Sequence, residues 1–290
     1  MFRLAATAFV LAAALSGCVT DPHDGLARPR AADVNPEKPD AAKIAAIVRV
    51  ADATAAAGDL PSAAAMYRRA HALDSGDTLV QKLLADILLR LGEIDEARRL
   101  FQMAAKKGDD AEALRGYARA LIALDQPQAA VSQLQAALRL AESPSTYSLL
   151  GVAHDFLGDH GAAQAYYRTG LDVEPGNLAL QNNLGLSLAV SGRFEEAISV
   201  LRKAAAGGAA TARQRLNLAL AYGLAGERDA AAATARLDLD ERAVEQNLAF
   251  YETLRALGDS RQTIRAIGAH NAALRVRGQD AGPGGQKAAH

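Results

Sequence analysis

A recurring turn residue constrains the fold of this chain of 290 residues more than any other feature. Five glycines and one aspartate recur with spacings of 34, 33, 33, 34 and 34 residues. They are Gly58, Gly92, Asp125, Gly158, Gly192 and Gly226. A fixed period of this length indicates similar helical units, each of which buries its apolar face against its neighbours. The sequence therefore predicts an all-α chain built as a stack of repeats.

The clearest unit is residues 144–177, with the sequence PSTYSLLGVAHDFLGDHGAAQAYYRTGLDVEPGN. Tyr147, Leu150 and Gly151 fall on the first helix of this unit. The pattern resembles the tetratricopeptide repeat, in which two antiparallel helices form one unit. The resemblance implies a right-handed superhelical solenoid of about six repeats in residues 41–240. The predicted units are residues 44–77, 78–110, 111–143, 144–177, 178–211 and 212 to about 240.

Columns of small residues predict where the helices of these units touch. Gly151 and Gly185 belong to one column on the first helices, and six alanines form a column on the second helices. These alanines are Ala63, Ala97, Ala130, Ala163, Ala197 and Ala231. Small side chains let two helices approach closely, and larger neighbours such as Val50, Leu84 and Leu150 are expected to fill the interface.

The segments on either side of the repeats have different compositions. Residues 241–276 keep a helical periodicity and are expected to form C-terminal capping helices, which close the apolar end of a solenoid. Residues 277–290 are rich in glycine and polar residues and are expected to be a disordered tail. Residues 18–40 contain four prolines among charged and small residues, which predicts an extended tether.

The first 17 residues have the pattern of a cleaved signal peptide. A single positive charge, Arg3, precedes an apolar run from Leu4 to Leu15. That run is too short to cross a bilayer comfortably, since a crossing helix needs about 20 residues. It matches the apolar region of a secretory signal peptide, which is followed by small residues before the cleavage site.

The cleavage site has a specific resemblance. Residues 15–18, LSGC, resemble the lipobox of bacterial lipoproteins, and Cys18 is the only cysteine of the chain. The resemblance implies cleavage before Cys18 and a covalent lipid on its thiol. Val19 follows instead of the aspartate that retains such proteins at the inner membrane, which implies a lipid anchor on the periplasmic face of the outer membrane. Two alternatives remain. One is an ordinary cleaved leader that contains a cysteine by chance, and the other is a buried free thiol.

The composition gives little support to catalytic or nucleic-acid chemistry. The formal charge is −1, so no basic surface for nucleic acid is expected. The six histidines are dispersed, and His154 and His160 have no third ligand at a regular spacing for a metal. No phosphate-binding loop or nucleophile motif is recognisable. We therefore expect no enzyme activity, no metal and no cofactor apart from the lipid on Cys18.

Recognition of a protein partner is the remaining function. Stacked repeats present their first helices on a concave face, which suits a peptide or a partner helix. The candidate groove residues are Arg115, Arg119, Asn182, Asn183, Arg213 and Asn217. Together they could hold a carboxylate or an acidic segment through charge-assisted hydrogen bonds. The alternative is that these polar residues have no specific role, as is common at exposed positions.

The lipobox, the repeats and the closing segment ARLDLDERAVEQNLAFYETLRAL together resemble the Tad (tight adherence) Flp-pilus assembly lipoproteins, the TadD family. That resemblance implies a non-catalytic, pilotin-like factor that helps the outer-membrane secretin of the pilus to assemble. Its partners would be the secretin or another pilus-assembly component. A tetratricopeptide lipoprotein adaptor that recruits envelope hydrolases or proteases is the alternative function.

Overall fold

The computed structural model describes residues 41–207 and 210–269. Within these ranges the chain is helical and contains no strand, which confirms the predicted all-α class. A short 3-10 helix, Ala105–Lys107, follows α4, and residues 260–269 are helical after α13. The α-helices are α1 (Ala41–Ala56), α2 (Leu60–Leu73), α3 (Thr78–Leu91), α4 (Ile94–Ala104), α5 (Ala111–Ala123), α6 (Pro127–Leu140), α7 (Pro144–Leu157), α8 (His160–Val173), α9 (Leu178–Val190), α10 (Phe194–Ala206), α11 (Ala212–Ala225), α12 (Arg228–Ala235) and α13 (Glu241–Leu257).

The recurring turn residues end the first helix of each pair. The five glycines of the period have φ between 80° and 91°, a left-handed conformation that glycine adopts without steric cost. Asp125 takes the same role between α5 and α6 with φ 55°, which aspartate tolerates better than most residues. Gly258, with φ 63°, ends α13 in the same way. The left-handed turn is the physical reason for the period in the sequence.

Side-chain caps fix where many of the helices begin. Five aspartates and one asparagine accept hydrogen bonds from the backbone N–H groups of the first helical turn, which otherwise have no partner. They are Asp59, Asp77, Asp110, Asp159, Asn177 and Asp240.

The described helices form two compact units, which we call the N-terminal unit (α1–α6) and the C-terminal unit (α7 to residue 269). In each unit a first helix packs against its own second helix and against the preceding second helix. Neighbouring first helices also touch, as α3 does with α5, and α9 with α7 and α11. This succession of helix pairs is typical of a tetratricopeptide solenoid.

The small-residue columns lie at helix contacts. All six alanines of the second-helix column are fully buried. A methyl group at Gly151 would overlap the ring of Tyr167, and one at Gly185 would overlap Leu201. These two glycines therefore allow a large side chain of the second helix to lie directly on the first.

Val50, one of the larger neighbours expected to fill a helix interface, does not do so. Leu84 and Leu150 are buried, but 53% of Val50 is exposed. The reason is that α1 buries a single stripe, Ile44, Val48 and Ala51, and Val50 lies outside it. The first helix α1 therefore buries fewer apolar positions than the first helices of the later pairs.

The last described pair is shortened, and α13 packs against it. The second helix α12 ends at Ala235, and the carboxylate of Asp238 accepts hydrogen bonds from the guanidinium of Arg215 on α11. Tyr251 of α13 packs against Gly223 of α11 and is fully buried.

The predicted leader, Cys18, the tether and the C-terminal tail lie outside the described residues. Within the described ranges, no helix has both the length and the apolar character needed to cross a bilayer.

Candidate partner-binding face

Polar side chains join neighbouring first helices of the C-terminal unit. The Asn183 amide donates to Ser148 Oγ at 3.1 Å, which links α9 to α7. The Asn217 amide donates to Asn182 Oδ1 at 2.6 Å, which links α11 to α9. The two partners of each bond are 35 residues apart, one residue more than the usual repeat length. We call Ser148, Asn182, Asn183 and Asn217 the amide row.

The amide row has hydrogen-bonding capacity that the described structure does not use. Asn182 Nδ2, a donor, and Asn183 Oδ1, an acceptor, are buried and have no hydrogen-bond partner. A buried polar group without a partner costs about 1–3 kcal/mol, so such groups call for an explanation. The unpaired donor and the unpaired acceptor belong to consecutive residues of α9, and a peptide backbone carries one polar group complementary to each.

The structure corrects the expected accessibility of the three asparagines. Asn182, Asn183 and Asn217 are only 1–2% exposed, so the expectation that they line an open groove is wrong for this structure. Asn182 and Asn217 bond to each other, and Asn183 bonds to Ser148. Arg213 is half-buried in the first turn of α11, four residues before Asn217.

The other two candidates lie in the N-terminal unit, where the first helices carry charges. Arg119 Nη2 of α5 lies 2.6 Å from Asp86 Oδ1 of α3, and its guanidinium lies 5.7 Å from the centre of the Phe101 ring. Lys82 Nζ lies 2.9 Å from Asp110 Oδ2 and 2.6 Å from Glu112 Oε2. We call these ion pairs the charged row.

Burial opposes the charge of Lys82, but its bonds to Asp110 and Glu112 outweigh this effect and raise the pKa of its ammonium group. The same pairing lowers the pKa of Asp110 in spite of its burial. Charges that are already paired contribute little to attracting another ion. Arg119 in particular is already paired with Asp86, and its expected role in holding an acidic segment stays a prediction.

Arg115 lines a cavity of about 610 Å³ at the start of α5. Three carboxylates line the same cavity, those of Asp109, Asp110 and Glu112. The wall around Arg115 is therefore more acidic than basic, which argues against an acidic ligand there. Across the two units, the six candidates form two sets, the arginines of α5 and the polar residues of α9 and α11.

A second polar cluster, centred on Asp155, was not anticipated from the sequence. Asp155 of α7 is 1% exposed, and its Oδ2 accepts a hydrogen bond from Tyr167 Oη at 2.9 Å. Its Oδ1 accepts from Ser187 Oγ at 2.7 Å and lies 2.7 Å from His160 Nδ1. Burial raises the pKa of the Asp155 carboxyl, against the effect of these three partners. The cluster joins α7, α8 and α9.

A signal for this cluster does exist in the sequence. Asp155 lies three residues before its turn glycine, and the other five repeats have Ala, Leu, Ile, Ala and Gly at that position. A carboxylate in such an apolar column indicates a buried polar contact. His154 does not join the cluster, because its ring packs against Tyr166 with 5.3 Å between the ring centres.

Comparison with known proteins supports the repeat fold. Residues 55–112 and residues 148–212 each match a family described as tetratricopeptide repeat. The uncharacterized protein y4yS of Sinorhizobium fredii (strain NBRC 101917 / NGR234) is 32% identical over 111 residues, which are 38% of this chain. The matched part spans 61% of the length of that relative.

Solved structures are similar over a longer part of the chain. PilW, described as a widely conserved type IV pilus biogenesis factor, has a TM-score of 0.61 and 20% identity, and the match covers 69% of this chain and 96% of PilW. Pseudomonas aeruginosa pilF has a TM-score of 0.57 and 18% identity, with 73% and 99% covered. Other tetratricopeptide proteins are similar to a comparable degree, so these likenesses show the fold.

Proposed function

We propose that this tetratricopeptide-repeat chain is a non-catalytic scaffold that binds a protein partner through the amide row of its C-terminal unit. Tetratricopeptide repeats are suited to protein–protein interaction, and the two families that match are repeat families. The observation that carries the proposal is the unpaired donor of Asn182 beside the unpaired acceptor of Asn183.

The chemistry of the amide row suits the main chain of an extended peptide segment. A peptide group brings one N–H donor and one C=O acceptor, and both would find a partner on adjacent residues of α9. Such bonds do not depend on the charge of the ligand. The charged row of the N-terminal unit is internally paired, so we assign it a structural role.

We further propose that the scaffold is a lipoprotein of the outer membrane, with its lipid on Cys18. The support is the lipobox resemblance of residues 15–18 and the absence of an aspartate after Cys18. Two or more acyl chains make membrane binding stable, whereas one short chain binds reversibly. A lipid anchor and a tether would hold the repeats near the membrane and raise the local concentration of a bound partner.

The finer proposal is a pilotin-like role, in which the partner is the secretin of a Tad/Flp pilus system or another pilus-assembly component. It rests on the resemblance of the leader, the repeats and residues 235–257 to the Tad assembly lipoproteins. One similar structure, PilW, is itself described as a pilus biogenesis factor, but at 20% identity it supports only the fold.

The test of partner binding replaces the two amide groups by apolar groups of similar shape. In the full-length lipidated protein, Asn182→Leu together with Asn183→Leu keeps the branched side-chain shape, although leucine is bulkier. The change removes the unpaired donor and acceptor together with the bonds to Asn217 and Ser148. We expect the amount of secretin that co-purifies from detergent-solubilised membranes to fall by about tenfold. A decrease of this size corresponds to the loss of one or two buried hydrogen bonds. Gln102→Leu also replaces an amide side chain by leucine, at an exposed position of α4, and should leave capture unchanged. Capture at the wild-type level by the double variant would contradict the role of the amide row.

A further inference from the structure

The chain folds back on itself after α13. Arg261 lies only four residues beyond α13, which packs on α11 and α12 of the last described pair. Its side chain nevertheless contacts the turn between α7 and α8, two pairs earlier. A Cβ atom at Gly158 would lie 2.5 Å from Arg261 Nε and 2.8 Å from Arg261 Cγ. Residues 260–269, which we call the C-terminal segment, are therefore anchored at the turn end of α7.

One face of the C-terminal segment is buried. Ile264 and Ile267 are each 1% exposed, and Thr263 is also buried. Arg261, Gln262 and Arg265 are exposed. Residues 264 and 267 are one turn apart and so lie on one side of the helix. The segment therefore docks with a narrow apolar face.

A column of the first helices offers a complementary apolar surface. In the C-terminal unit this column contains Val152, Leu186 and Leu220, all at most 1% exposed. The equivalent residues of the N-terminal unit include Asp86 and Arg119, which form an ion pair and remain partly exposed. The same position therefore changes from charged and partly exposed to apolar and buried between the two units.

We propose that the C-terminal segment is a removable cover over this apolar column and over the adjacent amide row, held by Ile264 and Ile267. A helix of ten residues is about 15 Å long, as is the stretch of α7 from Gly158 back to Ser148. A cover explains why Asn182 and Asn183 are buried although they keep an unpaired donor and acceptor. The inference deepens the proposed function, because a partner must displace the segment to reach the amide row.

The cover also indicates the kind of partner that competes with it. The partner should present a helix or an extended strand with two aliphatic side chains about one helical turn apart, because these would replace Ile264 and Ile267. Its backbone or polar side chains would then pair with Asn182 Nδ2 and Asn183 Oδ1.

Thiol labelling tests the cover without any partner, so that its outcome is independent of the proposed function. A Val152→Cys reporter is introduced into the full chain with Cys18→Ser, and its rate of reaction with a maleimide is measured. The same rate is then measured in a second protein that carries Ile264→Glu and Ile267→Glu in addition to the reporter. We expect labelling to become at least about tenfold faster, because two buried apolar side chains no longer hold the segment.

Two controls make the result decisive. Gln262→Glu with Ala269→Glu adds the same charge to the exposed side of the segment and should leave the rate unchanged. An Ala163→Cys reporter, placed inside a helix pair, should stay protected in the isoleucine variant. The proposal would be overturned if the Val152→Cys reporter reacted rapidly while Ile264 and Ile267 were still present. It would also be overturned if the reporter reacted at the same rate with and without the two isoleucines. Equal acceleration at Ala163→Cys would overturn it as well, since the segment would then be a structural part of the repeats.

Discussion

Asn217 of α11 donates its side-chain amide to Asn182 Oδ1 of α9 across 2.6 Å, and both residues are buried. This bond is a direct polar link between two neighbouring first helices of the C-terminal unit. Its two residues are nearly one repeat length apart, so it depends on the stacking of the repeats and on no local interaction.

The first prediction concerns this bond. Asn217→Ala leaves Asn182 Oδ1 buried without a donor, and we expect the free energy of unfolding to fall by about 1–3 kcal/mol. Asn182→Leu combined with Asn217→Leu removes both partners and should cost less than Asn217→Ala alone. Urea unfolding followed by circular dichroism measures both. A double variant that is less stable than the single variant would contradict the expected pairing.

The second prediction concerns helix packing at Ala163. Ala163→Arg places a charged, large side chain in a fully buried helix contact, and we expect a loss of about 3 kcal/mol or more. Because neighbouring repeats share interfaces, the loss of protection should extend to α9. Ala165→Arg on the exposed side of α8 is the matched control and should change stability little. Hydrogen exchange and thermal melting report both effects, and equal melting of the two variants would show that Ala163 is not at the contact.

The third prediction concerns pH and the buried carboxyl of Asp155. Burial raises its pKa above the usual aspartate value of 3.8, so the native state holds the proton more tightly than the unfolded chain does. Stability from this group is therefore fully present at low pH and decreases as pH rises through the interval between 3.8 and the raised pKa.

The measurement isolates Asp155 from the nearby histidine. In a His160→Gln background, urea unfolding is compared with and without Asp155→Asn between pH 3 and pH 8. The stability of the Asp155 form relative to the asparagine form should fall as pH rises. A difference that is constant with pH, or that rises, would contradict the raised pKa.

The turn residues and the alanine column are the parts of the fold that the sequence could predict. The turn glycines were recognisable because a left-handed φ favours glycine once in each repeat, and the alanine column was recognisable because a close helix contact excludes larger side chains. Both constraints act on a single residue type at a single position, so they leave a period in the sequence. The all-α repeat fold follows from them.

The contacts between repeats could not be predicted in the same way. The period indicates which columns adjoin, but it does not indicate which side chains of two columns pair. Arg119 was expected to bind an acidic ligand and is paired with Asp86, and Asn182 was expected on an open groove and is buried. Val50 was expected in an interface and is exposed, because the first helix buries only one stripe.

The fourth prediction concerns the lipid anchor. Cys18→Ser removes the thiol that would accept the lipid, so the protein should lose incorporated palmitate and leave the membrane fraction. The wild-type protein labelled in parallel is the control. A Cys18→Ser protein that is still acylated would show that the anchor lies elsewhere.

The central claim is that an anchored, non-catalytic scaffold delivers a secretin to the outer membrane. It is tested most directly by measuring secretin multimers in outer-membrane fractions of a deletion strain and of a strain with Cys18→Ser. The account predicts that the deletion strain lacks multimers and pili, and that the Cys18→Ser protein binds the secretin in solution without restoring either. Normal multimers and pili in the deletion strain would contradict the account and favour an adaptor for envelope hydrolases or proteases.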